Sequence, residues 1–421
     1  MLGSQMLKSQ FPILSRYIND KPLVYLDNAA TSQKPQGVIT AISNYYTGHN
    51  ANVHRGVHRL SDESTAVFEE SRNTIAKFFG ADSQELIITR NATEAINGVA
   101  YGWADHILKE GDVIVTSLME HHANFVVWQE VCKRTGAKLE LVGVDENGRL
   151  RLDELRQKLE IFPIKLVALV HVSNATGTVN SVKKILQLIK QHQKDTPIRL
   201  LIDGAQSAPH MPINFHQLGA DFYAFSGHKM LGPMGVGGLL VRKELLESGE
   251  MSPWLFGGGM IFSVLPAQTE FNPDLAERFV AGTPDVASVV GLAAACEYLY
   301  QLDMRKIEQH DRELVLYALE KLQQIPEIKI IGPVKSLQTG QQLDRLGSVA
   351  FLHQAVHAHD VAQILDSEGI AVRSGHHCTM PLHNYFGWQA TTRVSFQVYT
   401  SKNDIDSLVR GLEKIKQVFK S

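Results

Sequence analysis

Between residues 60 and 242 the chain alternates helix-periodic stretches with short apolar runs, and this alternation restricts the possible folds more than any other feature. "DESTAVFEESRNTIAKFFG" carries Phe68, Ser71, Ile75 and Phe78/Phe79 at helical spacing. After it come "ELIITR", a helix from Thr93, "DVIVTS", a helix near 123–134, "KLELVGV", "KLVALVHV", a helix near 181–194, "RLLIDG", "DFYAFSG" and "GGLLVR". Apolar runs this short, separated by helices, are strands joined by crossovers and buried on both faces. The expected architecture is therefore α/β, a mostly parallel mixed sheet flanked by helices. From Asp285 the pattern changes to a long helical stretch without proline until Pro326. It is followed by "IKIIGP", "GSVAFLH", a helix from Asp360, "IAVRSG", "TTRVSFQV" and a helix from Asp404, the pattern of a smaller α+β domain. The expected division is 1–24, a segment packing with the small domain; 25–284, the large domain; and 285–421, linking helices and the small domain.

A chain of 421 residues with a formal net charge of -3 offers no electrostatic case for nucleic acid or a membrane surface. No apolar run reaches about 18 residues, and "MLGSQMLKSQFPIL" lacks the apolar core of a secretory signal. Three cysteines, Cys132, Cys296 and Cys378, are too few for a disulfide scaffold and fit a reducing, cytoplasmic setting. Cys132 and Cys296 fall at apolar helix positions and read as buried and inert. Cys378, in "RSGHHCTMP", reads as exposed on a loop.

Ligands of open α/β sheets bind beyond the carboxyl ends of the strands, and several chemically capable residues fall there. Lys229 follows "DFYAFSG" in the glycine-rich "FSGHKMLGPMGVGG". A lysine desolvated at such a turn has a lowered pKa and can form a Schiff base, while the glycines allow close backbone approach. Asp203 ends "RLLID", with Gln206 one turn on; a carboxylate there can pair with a pyridinium nitrogen. Thr93 opens a helix directly after a strand, which suits a phosphate. His121 in "MEHHAN" can stack on a flat ring, and Asn174 in "HVSNATGT" can reach a ring hydroxyl. Each also suits an ordinary role: surface lysine, turn aspartate, helix cap, polar pair. Their common placement at the strand ends of one sheet favours a single site.

These motifs identify a resemblance. With "YLDNAATSQKP", "NVHRGVHRLS", "FVAGTP", "VRSGHHCTMPL" and "TRVSF", they make the chain similar over nearly its whole length to fold-type I pyridoxal 5'-phosphate (PLP) enzymes of the class V aminotransferase group. The match is to the group II, SufS-like cysteine desulfurases. The resemblance implies a PLP enzyme that converts L-cysteine to L-alanine and takes the sulfur as an enzyme persulfide for iron-sulfur cluster assembly. It implies that Lys229 carries PLP, Asp203 meets the ring nitrogen and His121 stacks on the ring. Thr93, Gln206, Ser226 and His228 would hold the phosphate and ring oxygen, with Asn174 near both ring and substrate. Thr283 would reach the other subunit's cofactor, which implies a homodimer. Arg393 would bind the substrate carboxylate, with His54, Arg55 and Arg373 lining the same pocket. Cys378 would accept the sulfur and pass it to a partner protein of the SufE or SufU type, helped toward thiolate by Arg373, His376 and His377.

Two positions depart from the family pattern: Thr379 stands where a small alanine is usual, and "FGGGMIFS" is one residue shorter before its Met-Ile pair. The alternatives on the same fold are a selenocysteine lyase, a cysteine sulfinate-type lyase and an aminotransferase. From another class, a zinc-binding interaction protein would use His376, His377, Cys378 and His383, whose spacing does not suit structural zinc; no metal is expected.

Overall fold

The computed structural model describes residues 3–54, 56–193, 196–337 and 342–418. Its main sheet has seven strands: β1 (Leu86–Thr89), β2 (Val113–Ser117), β3 (Lys138–Val142), β4 (Ile164–Val170), β5 (Arg199–Asp203), β6 (Phe222–Ser226) and β7 (Gly237–Val241). Their order across the sheet is β1-β7-β6-β5-β4-β2-β3. The pairings from β6 through β5, β4 and β2 to β3 are parallel, and β7 runs antiparallel to both β6 and β1. The run-by-run reading of the sequence thus yields the mostly parallel mixed sheet. Every residue of β2, β5 (Arg199 apart), β6 and β7 is buried, because helices cover both faces. One cover includes Arg59–Phe78 and Val286–Leu302, packing Phe68, Ile75 and Leu292 on the sheet. The other includes Ala92–Val99 and Val126–Thr135, with Ile96, Trp103 and Trp128.

Gly237 in β7 shows why part of the glycine run exists. A Cβ there would lie 2.5 Å from the Phe225 carbonyl oxygen and 2.8 Å from the Asn91 Cα. That glycine makes room for neighbouring backbone, not for a ligand.

The second sheet holds β8 (Ile328–Ile331), β9 (Ser348–His353), β10 (Arg373–Gly375) and β11 (Thr391–Ser395), in the order β8-β9-β11-β10. Its core includes Phe351, Val394, Leu408 and Leu26. The helical stretch after Asp285 is a pair, Val286–Leu302 and Met304–Gln323, with Asp303 between them at φ +69°. The N-terminal strand Val24–Tyr25 runs parallel to Ile370–Ala371, and Asp27 bridges to Ser395. These two contacts hold the N-terminal segment against the C-terminal part of the chain. We propose that the sheets mark the two domains divided near residue 284.

Candidate active site

One cavity of about 260 Å³ opens where the carboxyl ends of β1, β2, β4, β5 and β6 face the Arg373–Arg393 region. Its lining includes Thr93, His121, Asn174, Asp203, Gln206, Ser226, His228, Lys229, Arg373, Cys378 and Arg393. Eleven sequence candidates therefore meet in one place. They do so because each lies at, or within a few residues of, the end of a buried strand, or on the loop that the second sheet holds against those ends.

Asp203, the last residue of β5, is 3 % exposed and accepts a hydrogen bond from the Ala205 N–H at 3.0 Å. Burial raises its pKa, against the opposing pull of that N–H and of Lys229; the carboxylate lacks a cation close enough to offset its desolvation. Lys229 sits on the short turn after β6 with its amine facing the cavity. Burial and the charge of Arg393 push its pKa down from 10.5 to about 8, while Asp203 pulls the other way. His121 accepts from the Ala123 N–H through Nδ1 at 3.1 Å, so the neutral ring carries its proton on Nε2. Burial first, then the nearby Lys229, hold its pKa down at about 3.

One end of the cavity is built on the helix Ala92–Val99. Asn91, not Thr93, is its N-cap, accepting from the Glu94 N–H at 3.0 Å. Ser226 Oγ accepts from the Ala92 N–H at 2.9 Å, which leaves the Thr93 N–H and hydroxyl for a ligand. His228, lowered to about 4 by burial, has a buried Nδ1 without a partner, and so has the Asn174 Oδ1. Gln206 donates to the Ala29 carbonyl at 2.8 Å and so ties the N-terminal segment to the cavity wall.

At the opposite end Arg393 is 2 % exposed. It donates through Nη1 to the Asn174 carbonyl at 2.9 Å and through Nη2 to Asp27 Oδ1 at 3.3 Å, and its buried Nε is unpartnered. Burial lowers even this guanidinium to about 10. Arg373 is exposed and pairs with the same Asp27 at 3.1 Å. Cys378 is exposed on its loop, while Cys296 is buried and Cys132 half-buried rather than fully enclosed. Burial raises the Cys132 thiol to about 11 and the Cys296 thiol further.

Two of the described candidates stand elsewhere. His54 does not line this cavity. Its N–H is held by Thr65 Oγ1, its φ is +70°, and its ring lies 3.9 Å from both Glu69 and Glu277 in a small separate hollow. Thr283 is exposed and reaches Asn52 Oδ1 at 3.5 Å, away from this chain's own cavity. Arg55 lies outside the described residues. His377 and His383 both turn Nε2 onto the Thr391 hydroxyl, at 2.9 and 3.1 Å.

The sequence reading missed two residues. Asp27, within the quoted "YLDNAATSQKP", is the acid shared by both arginines. Glu120, beside His121, is wholly buried; Ser117 and Asn124 donate to its carboxyl at 2.5 and 2.6 Å. Burial pushes it up to about 8, so a neutral acid braces the turn that carries His121.

The donor set fits PLP in particular. A buried carboxylate in want of a cation, an amine of depressed pKa, a flat imidazole and a helix N-terminus with spare donors match a pyridinium nitrogen, an aldehyde, a ring face and a phosphate. On such a sheet they define the fold-type I class of enzymes. The aminotransferase class-V model matches residues 24–408. A probable cysteine desulfurase of Halalkalibacterium halodurans is 44% identical over 99% of both chains. A cysteine desulfurase of Haloferax volcanii is 41% identical over 98% of this chain and 97% of the other. Among solved structures, the apo cysteine desulfurase of Thermococcus onnurineus superposes with a TM-score of 0.90 at 38% identity, covering 99% of this chain and 98% of that one. The Escherichia coli cysteine desulfurase CsdA gives 0.87 at 34%, over 99% of each chain. The chain belongs to the class-V aminotransferase family, among the cysteine desulfurases.

Proposed function

We propose that the chain is a PLP-dependent, group II cysteine desulfurase that releases L-alanine from L-cysteine and holds the sulfur as a persulfide on Cys378. The observation that carries the reading is the meeting of Lys229, Asp203, Arg393 and Cys378 around one cavity. PLP, when bound, withdraws electrons from the substrate's α-carbon.

This chain's residues supply the rest. Lys229, near pKa 8, offers a sizeable neutral amine population at neutral pH for attachment and for moving the α-proton through Nζ. Asp203 stays buried to meet a cation at the ring nitrogen. Arg393 presents its fork to the substrate carboxylate, with Asn174 beside it. Cys378 Sγ, as thiolate, bonds to the substrate sulfur while the Cβ–S bond breaks and its electron pair stays with the carbon skeleton. The skeleton leaves as alanine after protonation.

The exposure of Cys378 supports delivery of the persulfide to an acceptor protein of the SufE or SufU type for iron-sulfur cluster assembly. A homodimer is supported by Thr283, which is exposed and does not line this chain's cavity. The hairpin Ile261–Leu265 with Gln268–Phe271 supports it too, since it leaves Phe262, Val264 and Leu265 exposed. Among the described residues no helix is long and apolar enough to cross a membrane, and a cytoplasmic setting is part of the proposal.

The test is to supply L-cysteine to the purified protein, measure alanine, and map the persulfide by mass. The expected protein is yellow, with a visible band abolished by borohydride, and carries its extra sulfur on Cys378. A colourless protein, or alanine release without a persulfide on Cys378, would overturn the reading.

A further inference from the structure

The loop from His376 to Thr379 passes through two consecutive left-handed residues, with φ +51° at His377 and +56° at Cys378. Residues other than glycine stay in that region only where their surroundings hold them. The loop is held from both sides. Asn174 Nδ2 donates to the His377 carbonyl and the His122 N–H to the Cys378 carbonyl, each at 2.7 Å. From within, the N–H and hydroxyl of Thr379 both donate to the His376 carbonyl, at 2.8 and 2.7 Å. Thr379 is completely buried.

Beneath Thr379 runs a chain of hydrogen bonds whose directions follow from what each atom can do. His383 Nδ1 lies 3.1 Å from the Thr379 carbonyl, which can only accept, so Nδ1 carries the proton. Burial keeps His383 below its usual pKa and so neutral; its Nε2 is then a lone pair. The Thr391 hydroxyl, 3.1 Å away, donates to it. His383 Nε2 is a nearer acceptor for that proton than the Gly375 carbonyl at 3.5 Å, so Thr391 Oγ1 in turn accepts from His377 Nε2–H at 2.9 Å. Burial and the charge of Arg393 keep the His377 ring neutral as well. Its Nδ1 is therefore an unprotonated acceptor, buried and without a partner, on a ring that lines the cavity next to Cys378.

We propose that Thr379 and His383 are positioning residues for the Cys378 thiol: the chain Thr379–His383–Thr391–His377 holds the left-handed turn and fixes the acceptor that His377 presents to the cavity. The inference rests on Cys378 being the sulfur acceptor. The hydroxyl of Thr379 keeps the thiol at one angle, and His383 keeps Thr391 from turning its proton toward His377.

The experiment compares holoenzyme carrying Thr379→Ala, Thr379→Ser or His383→Asn with wild type. It reads kcat and KM for L-cysteine, the visible band, and the rate at which iodoacetamide alkylates Cys378, followed by peptide mass. Asn at 383 keeps a donor for the Thr379 carbonyl and loses the acceptor for Thr391. Thr379→Ala and His383→Asn are expected to lower kcat by about tenfold, the scale of a small misplacement of a reacting atom. KM should stay within about twofold, since neither residue binds the substrate. Cys378 should be alkylated at a changed rate with the visible band unmoved, and Thr379→Ser should restore both kcat and the alkylation rate. Wild-type kcat and alkylation rate in both Thr379→Ala and His383→Asn, or a serine that restores nothing, would overturn the proposal while leaving Cys378 as acceptor. A wild-type persulfide on Cys132 or Cys296 would overturn the assignment of Cys378 and this inference with it.

Discussion

In the cofactor-free protein, Lys229 should behave as an amine of unusually low basicity. Its pKa falls from 10.5 to about 8, chiefly because the surrounding protein desolvates the ammonium, with Arg393 adding repulsion and Asp203 opposing both. At about pH 7.5 that change raises the neutral fraction from roughly one in a thousand to roughly one in four. With trace acetic anhydride, Lys229 should therefore acylate on the order of a hundred times faster than an unperturbed lysine of equal access. Peptide mapping across pH should give an inflection near 8 for Lys229, and for Lys34, which burial also lowers to about 8. The neighbours give the shift a sign that can be checked. Asp203→Asn removes the charge that favours the ammonium and should move the inflection lower; Arg393→Met removes a repelling cation and should move it higher. The same shift acts on stability. Below about pH 8 the group is protonated in both folded and unfolded chains, and the folded protein bears the full cost of the buried ammonium. Between about 8 and 10.5 the folded chain gives up the proton first, so stability rises with pH through that window. An inflection near 10.5, or an Asp203→Asn variant shifted upward, would refute the reasoning.

The other expectations concern separate parts of the site. Asp203→Ala should keep the visible band yet lower alanine release by about a hundredfold or more, because the ring nitrogen loses its carboxylate; unchanged turnover would leave Asp203 a turn residue. Cys378→Ala should bind PLP normally and lose cysteine desulfuration, while any release of alanine from selenocysteine falls less; full cysteine activity in this variant would remove Cys378 from the reaction. Asp27→Ala strands Arg393 without an acid, and loss of such a partner costs about 3 kcal/mol; a thermal midpoint matching wild type would show that the Asn174 carbonyl alone suffices. If Thr283 completes the partner's site, sedimentation should link dimerisation to PLP occupancy, and a fully loaded stable monomer would contradict it.

Much of the site was legible because strand ends are legible. The apolar runs stop at Thr89, Ser117, Val170, Asp203 and Ser226, and His121, Asn174 and Lys229 follow within four residues. The glycines were legible only in part: Gly237 answers to Asn91 and Phe225 across the sheet, a contact with no local signature. Asp27 escaped notice because its partners, Arg373 and Arg393, are more than three hundred residues away. Glu120 escaped because a carboxyl that is neutral by burial looks, in sequence, like any acid beside a histidine. His54 was expected in the cavity on resemblance alone, and its left-handed backbone and Thr65 turn it toward Glu69 and Glu277 instead.

The sequence by itself determined which chemical groups this protein has and at which strand ends they stand, since period and run length are local properties of the chain. Only the tertiary structure decided how those groups behave. The lowered lysine, the neutral Glu120, the acid shared by two arginines and the turn under Cys378 all arise where distant segments exclude water from one another. Desolvation and Coulomb energy depend on that packing and on distance, and neither is written in the order of the residues.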